Sequence, residues 1–247
     1  FALLDYDPKR PEARPKPVGG FSALGDSPLD FAPEMPHVVA ALPELQAVAA
    51  GNGAVNALPD QDGVIRRVPL IIAYKPENAQ TAPDALLPAL GLEAIRIAFQ
   101  GRSFTIRSSH ASAETFASIV ANGIGAIRIE GIPEGGPSVI IKTDRGGELL
   151  LHDTGHRAEL FVSVADLFDP DFPRSKVEGQ IVLVGTTVEG LKDIQTSPIE
   201  PRIAGVEVHA ETIEQILEAA SGVMTLQRPY WSDAAEFAFL ILFGLLV

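Results

Sequence analysis

Four consecutive aliphatic residues, Ile181–Val184, lead into Gly185 and place the strictest limit on how this chain folds. A short run that is apolar at every position predicts a strand buried on both faces, of the parallel-sheet type. Such a strand requires helices packed over its sheet. The segment Gly205–Gly222 fits this role, because it reads as a strand end that continues into an amphipathic helix. The core-facing residues predicted for that helix are Val208, Ile213, Ile216 and Leu217.

Strand and helix patterns alternate along the rest of the chain, which predicts a mixed α/β fold: a mixed sheet with flanking helices. A long proline-rich surface loop is expected over Pro8–Pro36. A β-hairpin is predicted over Ala54–Tyr74, around the turn residues Pro59–Gly63. Further strands are predicted at Ser103–Ser109, Gly125–Gly131, Ser138–Asp144 and Glu148–Gly155, and helices at Pro43–Gly51, Leu86–Gly101 and Ser112–Gly123.

Composition excludes several classes of function. The chain is 46% hydrophobic, which rules out a disordered protein. Its formal net charge is -13 and it has no stripe of Lys and Arg, so we expect no nucleic-acid partner. It contains no cysteine, which excludes disulfides, thiolate nucleophiles and cysteine metal sites.

The C-terminal segment Phe237–Val247 is apolar on every helical face, as in a helix surrounded by lipid. It is shorter than the roughly 20 residues that a bilayer span needs. Tyr230 and Trp231 precede it as interfacial aromatics would, and Ser232 or Asp233 could cap the helix. We therefore predict a juxtamembrane linker at 226–233 and the beginning of a transmembrane helix at 234–247. A buried core helix is the alternative.

The sequence lacks the common catalytic motifs: there is no G-x-S-x-G elbow, no P-loop and no Rossmann glycine pattern. His152, Asp153 and His156 lie within five residues, but the spacing crosses a glycine turn and no distant third ligand is identifiable. We therefore expect no metal site and no cofactor. Solvent-facing polar residues at a strand end account for this cluster.

The polar loop after Ile181–Val184 is the best candidate for a ligand site, because ligands of open α/β sheets bind beyond the carboxyl ends of parallel strands. Hydroxyls, carboxylates and an imidazole could meet there. These same side chains commonly bond to backbone amides of their own loop, so a structural role is the competing interpretation. The tentative ligand-binding residues are Thr186, Thr187, Asp193, Thr196, Glu207 and His209.

Two stretches resemble the type-two CHASE domain, an extracytoplasmic sensory module of bacterial transmembrane receptors. In Gly179–Leu217, a VLVG strand precedes Asp193, Ser197-Pro198 and the Gly205–Ala210 segment G-V-E-V-H-A. The proline that the family usually has before this glycine is Ala204 here. Asn56–Leu70 is similar to the family's N-x-x-x-D-x-D-G-V-x-R-x-x-P-L stretch.

The resemblance implies a sensor over residues 1–225 with no catalytic activity, at the inner membrane and facing the periplasm. It would lie upstream of an adenylate or guanylate cyclase or a kinase. Its partners would be a small ligand or a periplasmic protein, the membrane through the C-terminal helix, and a second copy in a homodimer. Members usually carry an earlier strand–helix segment, which leads us to expect that the sequence is a fragment.

Two other functions stay open from the residues alone. One is a hydrolase or transferase in which Asp193 and His209 act as an acid/base pair, which requires the two side chains within hydrogen-bond reach. The other is a domain that serves only for dimerisation.

Overall fold

The computed structural model describes residues 19–75, 85–112, 122–187, 193–222 and 232–246. Within them the strands are β1 (Gly20–Leu24), β2 (Glu34–Met35), β3 (Arg67–Pro69), β4 (Ile71–Tyr74), β5 (Ala85–Pro88), β6 (Ser103–Ser108), β7 (Ile124–Glu130), β8 (Ile140–Lys142), β9 (Glu148–Leu150), β10 (Ile194–Gln195) and β11 (Ile203–Ala204). The helices are α1 (Pro43–Val48), α2 (Leu90–Ala98), α3 (Gly205–Ala220) and α4 (Ser232–Leu246). This is the mixed α/β class that the alternating patterns predict.

The main sheet has four strands in the order β1-β6-β7-β8. β1 runs parallel to β6, and the other pairs are antiparallel. β6 is buried along almost its whole length, as its alternating apolar residues Phe104 and Ile106 require. The apolar face of the sheet packs with α2 and α3 into the main core, whose fully buried members include Leu92, Ile95, Phe104, Ile106, Ile127, Ile141 and Ile216.

The two helices over this core approach each other closely at Gly91. A Cβ atom at that position would lie 3.1 Å from the Cγ2 atom of Thr212 on α3. Glycine therefore lets the α2 backbone pack against α3. The predicted inner face of α3 is confirmed: Val208, Ile213 and Ile216 are buried and Leu217 packs partly buried against the core.

A buried ion pair links Glu93 and Arg96 within α2. Glu93 and Arg96 are only 2% and 6% exposed. The guanidinium donates to Glu93 from Nε at 2.8 Å and from Nη2 at 2.6 Å, and Nη1 donates to the Gly101 carbonyl at 2.7 Å. Because the carboxylate stabilises the charged guanidinium, the pKa of Arg96 is raised.

The hairpin predicted over Ala54–Tyr74 is wrong, although its turn is present. Asp60 and Val64 close the turn with a 2.9 Å backbone hydrogen bond, and Arg66 binds Asp62, whose pKa falls to about 2 chiefly because of that bond. The strand after the turn, β3, pairs with β9 instead of with the residues before the turn. Turn chemistry is local, but the choice of partner strand is set by the tertiary fold.

Two further element predictions need correction. Gly20–Leu24 lies inside the predicted proline-rich loop, yet it forms edge strand β1. The helix predicted over Leu86–Gly101 begins only at Leu90, because Ala85–Pro88 pairs with β4 as β5. Most of the helix predicted at Ser112–Gly123 lies outside the described residues, as do residues 8–18 of the predicted loop.

The predicted buried strand Ile181–Gly185 is also wrong. The segment has no regular secondary structure, and Val182 and Val184 are 52% and 86% exposed. Only Leu183 packs against the main core. No strand in the described part of the chain pairs with it, so its apolar side chains are left at the surface.

The C-terminal helix α4 projects apolar side chains on every side. Phe237, Phe239, Leu240, Ile241, Leu242, Phe243 and Leu245 are all exposed. Among the described residues no helix has both the length and the apolar content to cross a membrane. The predicted linker at 226–233 lies almost wholly outside the described residues, with Tyr230 and Trp231.

Candidate functional site

Three of the predicted site residues lie at or near the start of α3: Asp193, Glu207 and His209. The segment that precedes them approaches the first turn of this helix closely, since a Cβ atom at Gly185 would lie 2.6 Å from the Cβ atom of Val206. Glycine at 185 therefore allows the loop to cross the helix start. Thr186 and Thr187 follow it and are exposed to solvent.

Asp193 lies directly at the N-terminus of α3. Its backbone carbonyl accepts a 2.7 Å hydrogen bond from the Gly205 amide, and its carboxylate is so close to Gly205 that any Cβ atom there would overlap Oδ1. A carboxylate in this position interacts favourably with the partial positive charge of the helix end. The arrangement explains the glycine of the G-V-E-V-H-A segment and gives Asp193 a structural role.

Thr196 connects this corner to the turn at residues 60–64. Its backbone carbonyl accepts a 2.8 Å hydrogen bond from Ile65, next to a parallel bridge with Val64. Its hydroxyl donates to the Pro201 carbonyl at 3.2 Å. The two motifs that resemble the type-two CHASE domain are therefore in contact through Thr196.

His209 is buried in α3, one turn after the start of the helix. Its Nε2 lies 3.3 Å from the Val55 carbonyl, which can only accept, so Nε2 carries the proton. Nδ1 is buried and has no hydrogen-bond partner in the described part of the chain. Burial lowers the pKa of His209 and keeps the ring neutral.

Asp193 and His209 do not form an acid/base pair. No hydrogen bond joins these two described side chains, because Asp193 packs on Gly205 and His209 turns to Val55. The geometry required for the hydrolase or transferase alternative is thus missing in this structure.

Glu207 binds two partners. Its Oε1 accepts a 3.3 Å hydrogen bond from the Ala204 amide, which caps α3, and its Oε2 lies 2.7 Å from Nδ1 of His156. Glu207 raises the pKa of His156 by stabilising the imidazolium. The sequence indicates His156 only as a candidate metal ligand, whereas in the structure its ring forms a hydrogen bond with Glu207 of α3.

A loop that we call the clasp loop, Asp153–Arg157, lies along α3. Thr154 donates to Oε1 of Glu211 from its amide at 2.9 Å and from its hydroxyl at 3.1 Å. Arg157 forms a bidentate ion pair with Glu214. Together with the His156–Glu207 pair, these contacts reach three successive turns of the helix.

The clasp loop was not identified from the sequence, although one signal was available. Glu207, Glu211 and Glu214 have the i, i+4, i+7 spacing of a single helical face. Three carboxylates on one face repel each other and require cationic or donor partners from elsewhere. Those partners come from residues more than fifty positions earlier in the chain.

The cluster His152, Asp153 and His156 does not converge. His152 is exposed, while the buried Asp153 accepts backbone hydrogen bonds from Gly155 at 2.9 Å and Ile199 at 3.1 Å. Over the described ranges, no three His, Asp or Glu side chains are arranged to hold a metal ion.

The family model of the CHASE2 domain matches residues 11–247. No curated protein and no solved structure matches the chain. The family match covers nearly the whole sequence, including the helix start and the turn that Thr196 joins. The chain therefore belongs to the CHASE2 family, the type-two CHASE sensory domains of receptors.

Proposed function

We propose that this domain is the periplasmic sensor of a bacterial transmembrane receptor and that α4 enters the inner membrane. The observation that carries the proposal is the position of the helices. α3 is packed into the core on one face and held by the clasp loop on another, and α4, which follows it in sequence, exposes large apolar side chains on all sides.

This arrangement gives a physical route for a signal. A stimulus that favours one position of α3 over another would move the chain that leads to α4. The output would be a cytoplasmic adenylate or guanylate cyclase or a kinase, as the resemblance implies. The stimulus would be a small ligand or a periplasmic protein that meets the corner around α3, where Thr186 and Thr187 present exposed hydroxyls.

Membrane entry of α4 predicts that the chain floats with lipid vesicles. Replacing Phe239, Leu240 and Ile241 by serine should abolish most of this flotation, because it removes apolar surface worth about 25 cal/mol per Å². The measurement is the fraction of protein that co-floats with phosphatidylglycerol–phosphatidylethanolamine vesicles in a density gradient.

A matched control is available at α1, where Leu45 and Val48 on the helix and Leu42 directly before it are also exposed apolar side chains. Serine at these three positions should leave flotation unchanged. Equal losses in the two triple variants, or no flotation of the parent chain, would contradict membrane entry by α4.

A second role, dimerisation, is favoured by a different surface. The irregular segment between β9 and β10 exposes several large apolar side chains, among them Leu160, Val164, Phe168 and Val184. Exposed apolar groups in such number are typical of interaction surfaces.

If this segment forms a dimer interface, the double variant Leu160→Ser, Phe168→Ser should shift the dimer to monomer, with at least about a tenfold rise in the dissociation constant, the equivalent of 1.4 kcal/mol. Sedimentation velocity over a concentration series measures this constant. A parent chain that stays monomeric at every concentration would exclude the dimer, whereas the α1 triple variant should dimerise like the parent.

A further inference from the structure

The clasp loop contacts α3 through side chains whose charge depends on pH. His156 is half exposed and pairs with Glu207, which also caps the helix. Glu211 is 5% exposed, and only its Oε1 is used by Thr154. Its Oε2 is buried and accepts no hydrogen bond from any residue in the described part of the chain.

We propose that the clasp loop is a proton-operated latch on α3: protons on His156 and Glu211 close it, and their loss opens it. A protonated imidazole holds the Glu207 carboxylate across the helix start. A protonated Glu211 avoids a buried, half-satisfied negative charge against the loop.

The surroundings of both groups raise their pKa values. The hydrogen bond to Glu207 is the main cause for His156. Burial, which outweighs the opposing hydrogen bonds from Thr154, is the main cause for Glu211. His156 faces Glu207 from α3, Glu200 from the turn at 197–201 and Glu159 from the 3-10 helix Ala158–Leu160. Its ring also packs on Phe161, with centroids 4.9 Å apart. All three charged neighbours of His156 are carboxylates.

Glu211 faces Asp153, Thr154 and Arg157 of the clasp loop. Both oxygens of Asp153 accept backbone hydrogen bonds, and this carboxyl group lies near Glu211. Arg157 is turned to Glu214 and compensates the charge of Glu211 only in part. Desolvation, the largest influence, and Asp153 both raise the pKa of Glu211.

The direction of the pH effect follows from these two shifts. Folding raises the pKa of both groups, so the closed state binds more protons than the unfolded chain and loses stability as pH rises. The Glu211 contribution is complete below its ordinary value of 4.5 and is lost as pH rises through its raised value. The His156 contribution is complete below its ordinary value of 6.5 and is lost as pH rises through its raised value.

Opening breaks the His156–Glu207 and Thr154–Glu211 contacts and leaves the face of α3 that packs in the core in place. Opening is therefore a local change on α3, and it does not require unfolding of the domain. This latch would supply a stimulus for the proposed sensor, but its own test needs neither a membrane nor an output domain.

The absence of native cysteine allows the latch to be measured directly. Spin labels at Ala158→Cys, the position directly after the clasp loop, and at Ala210→Cys on α3 report the distance between the end of the loop and the helix; both positions are exposed. Between about pH 5.5 and about pH 8.5 we expect the longer-distance population to rise about two- to fivefold, the range expected for an exposed ion pair.

Four variants in the labelled full chain decide the assignment. His156→Gln should remove the pH response above 6.5, and His156→Lys should keep the short distance up to the highest pH. Glu211→Gln, which imitates the neutral acid, should hold more of the loop closed at every pH. His152→Gln, a histidine exposed just before the loop, is the matched control and should behave as the parent.

A distance distribution that does not change with pH in the parent chain would overturn the latch. So would a His156→Gln variant that keeps the parental midpoint, since a purely structural histidine changes the distances equally at all pH values. Failure of vesicle flotation would leave these results unaffected, which separates the latch from the proposed membrane function.

Discussion

Replacing Glu93 by leucine should lower the free energy of unfolding by about 3–5 kcal/mol, the loss typical of breaking a buried ion pair. Leucine is close to glutamate in size but provides no acceptor for Arg96, whose Nε and Nη2 both donate to this carboxylate. The guanidinium would remain 6% exposed with an uncompensated charge. Guanidinium chloride unfolding, with the slope checked for constancy, measures the loss.

Two controls separate charge from packing. The double variant Glu93→Leu, Arg96→Met should recover most of the stability, because a hydrophobic replacement of a buried pair is often neutral. Glu130→Leu breaks the Arg128–Glu130 pair, whose side chains are about one-third exposed, and should cost at most about 1 kcal/mol. Equal losses for Glu93→Leu and Glu130→Leu would show that burial of the α2 pair has no energetic weight.

Phe104→Ala should have an effect of similar size, about 3–5 kcal/mol, because it creates a cavity at the centre of the main core. Phe104 is fully buried on β6 and stacks on Phe21 of β1 with ring centroids 5.1 Å apart. The loss would be measured by the same denaturant titration, or by calorimetry.

Phe21→Ala is the matched control, since it removes the other ring of the same stack from a partly buried position. It should lose the stacking energy, about 0.5–1.5 kcal/mol, with a smaller loss of buried area. If both alanine variants lost the same stability, the stack and not the core cavity would determine the cost.

Hydrophobic periodicity predicted several elements correctly. The apolar face of α3 and the strands β6 and β7 were predicted because their side chains alternate at the periods of a helix and a strand. The same reasoning failed for Ile181–Val184. An apolar run shows that a segment can be buried, but burial also requires a neighbouring element that covers it. In the described structure the core covers only Leu183 of this run.

The structure brings several of the candidate ligand-binding residues to one corner, and their ligand-binding role stays a prediction. Asp193, Glu207 and His209 do surround the start of α3, but each uses its polar group to fix the fold. Their partners Gly205, His156 and Val55 are set by the tertiary fold, and the His209–Val55 pair is 154 residues apart in sequence. Single-sequence reasoning has no means of pairing such positions.

The parallel pairing of β1 with β6 joins segments that are far apart in sequence, and this separation affects the order in which we expect the main sheet to assemble. Phe21 must meet Phe104, whereas Phe104 meets Ile129 on β7 across a much shorter stretch of chain. The longer loop costs about 1 kcal/mol more in closure entropy. Although β1 is synthesised first, we expect β6 and β7 to pair before β1 docks at the edge of the sheet, which φ-value analysis of Phe21 and Ile129 variants would test.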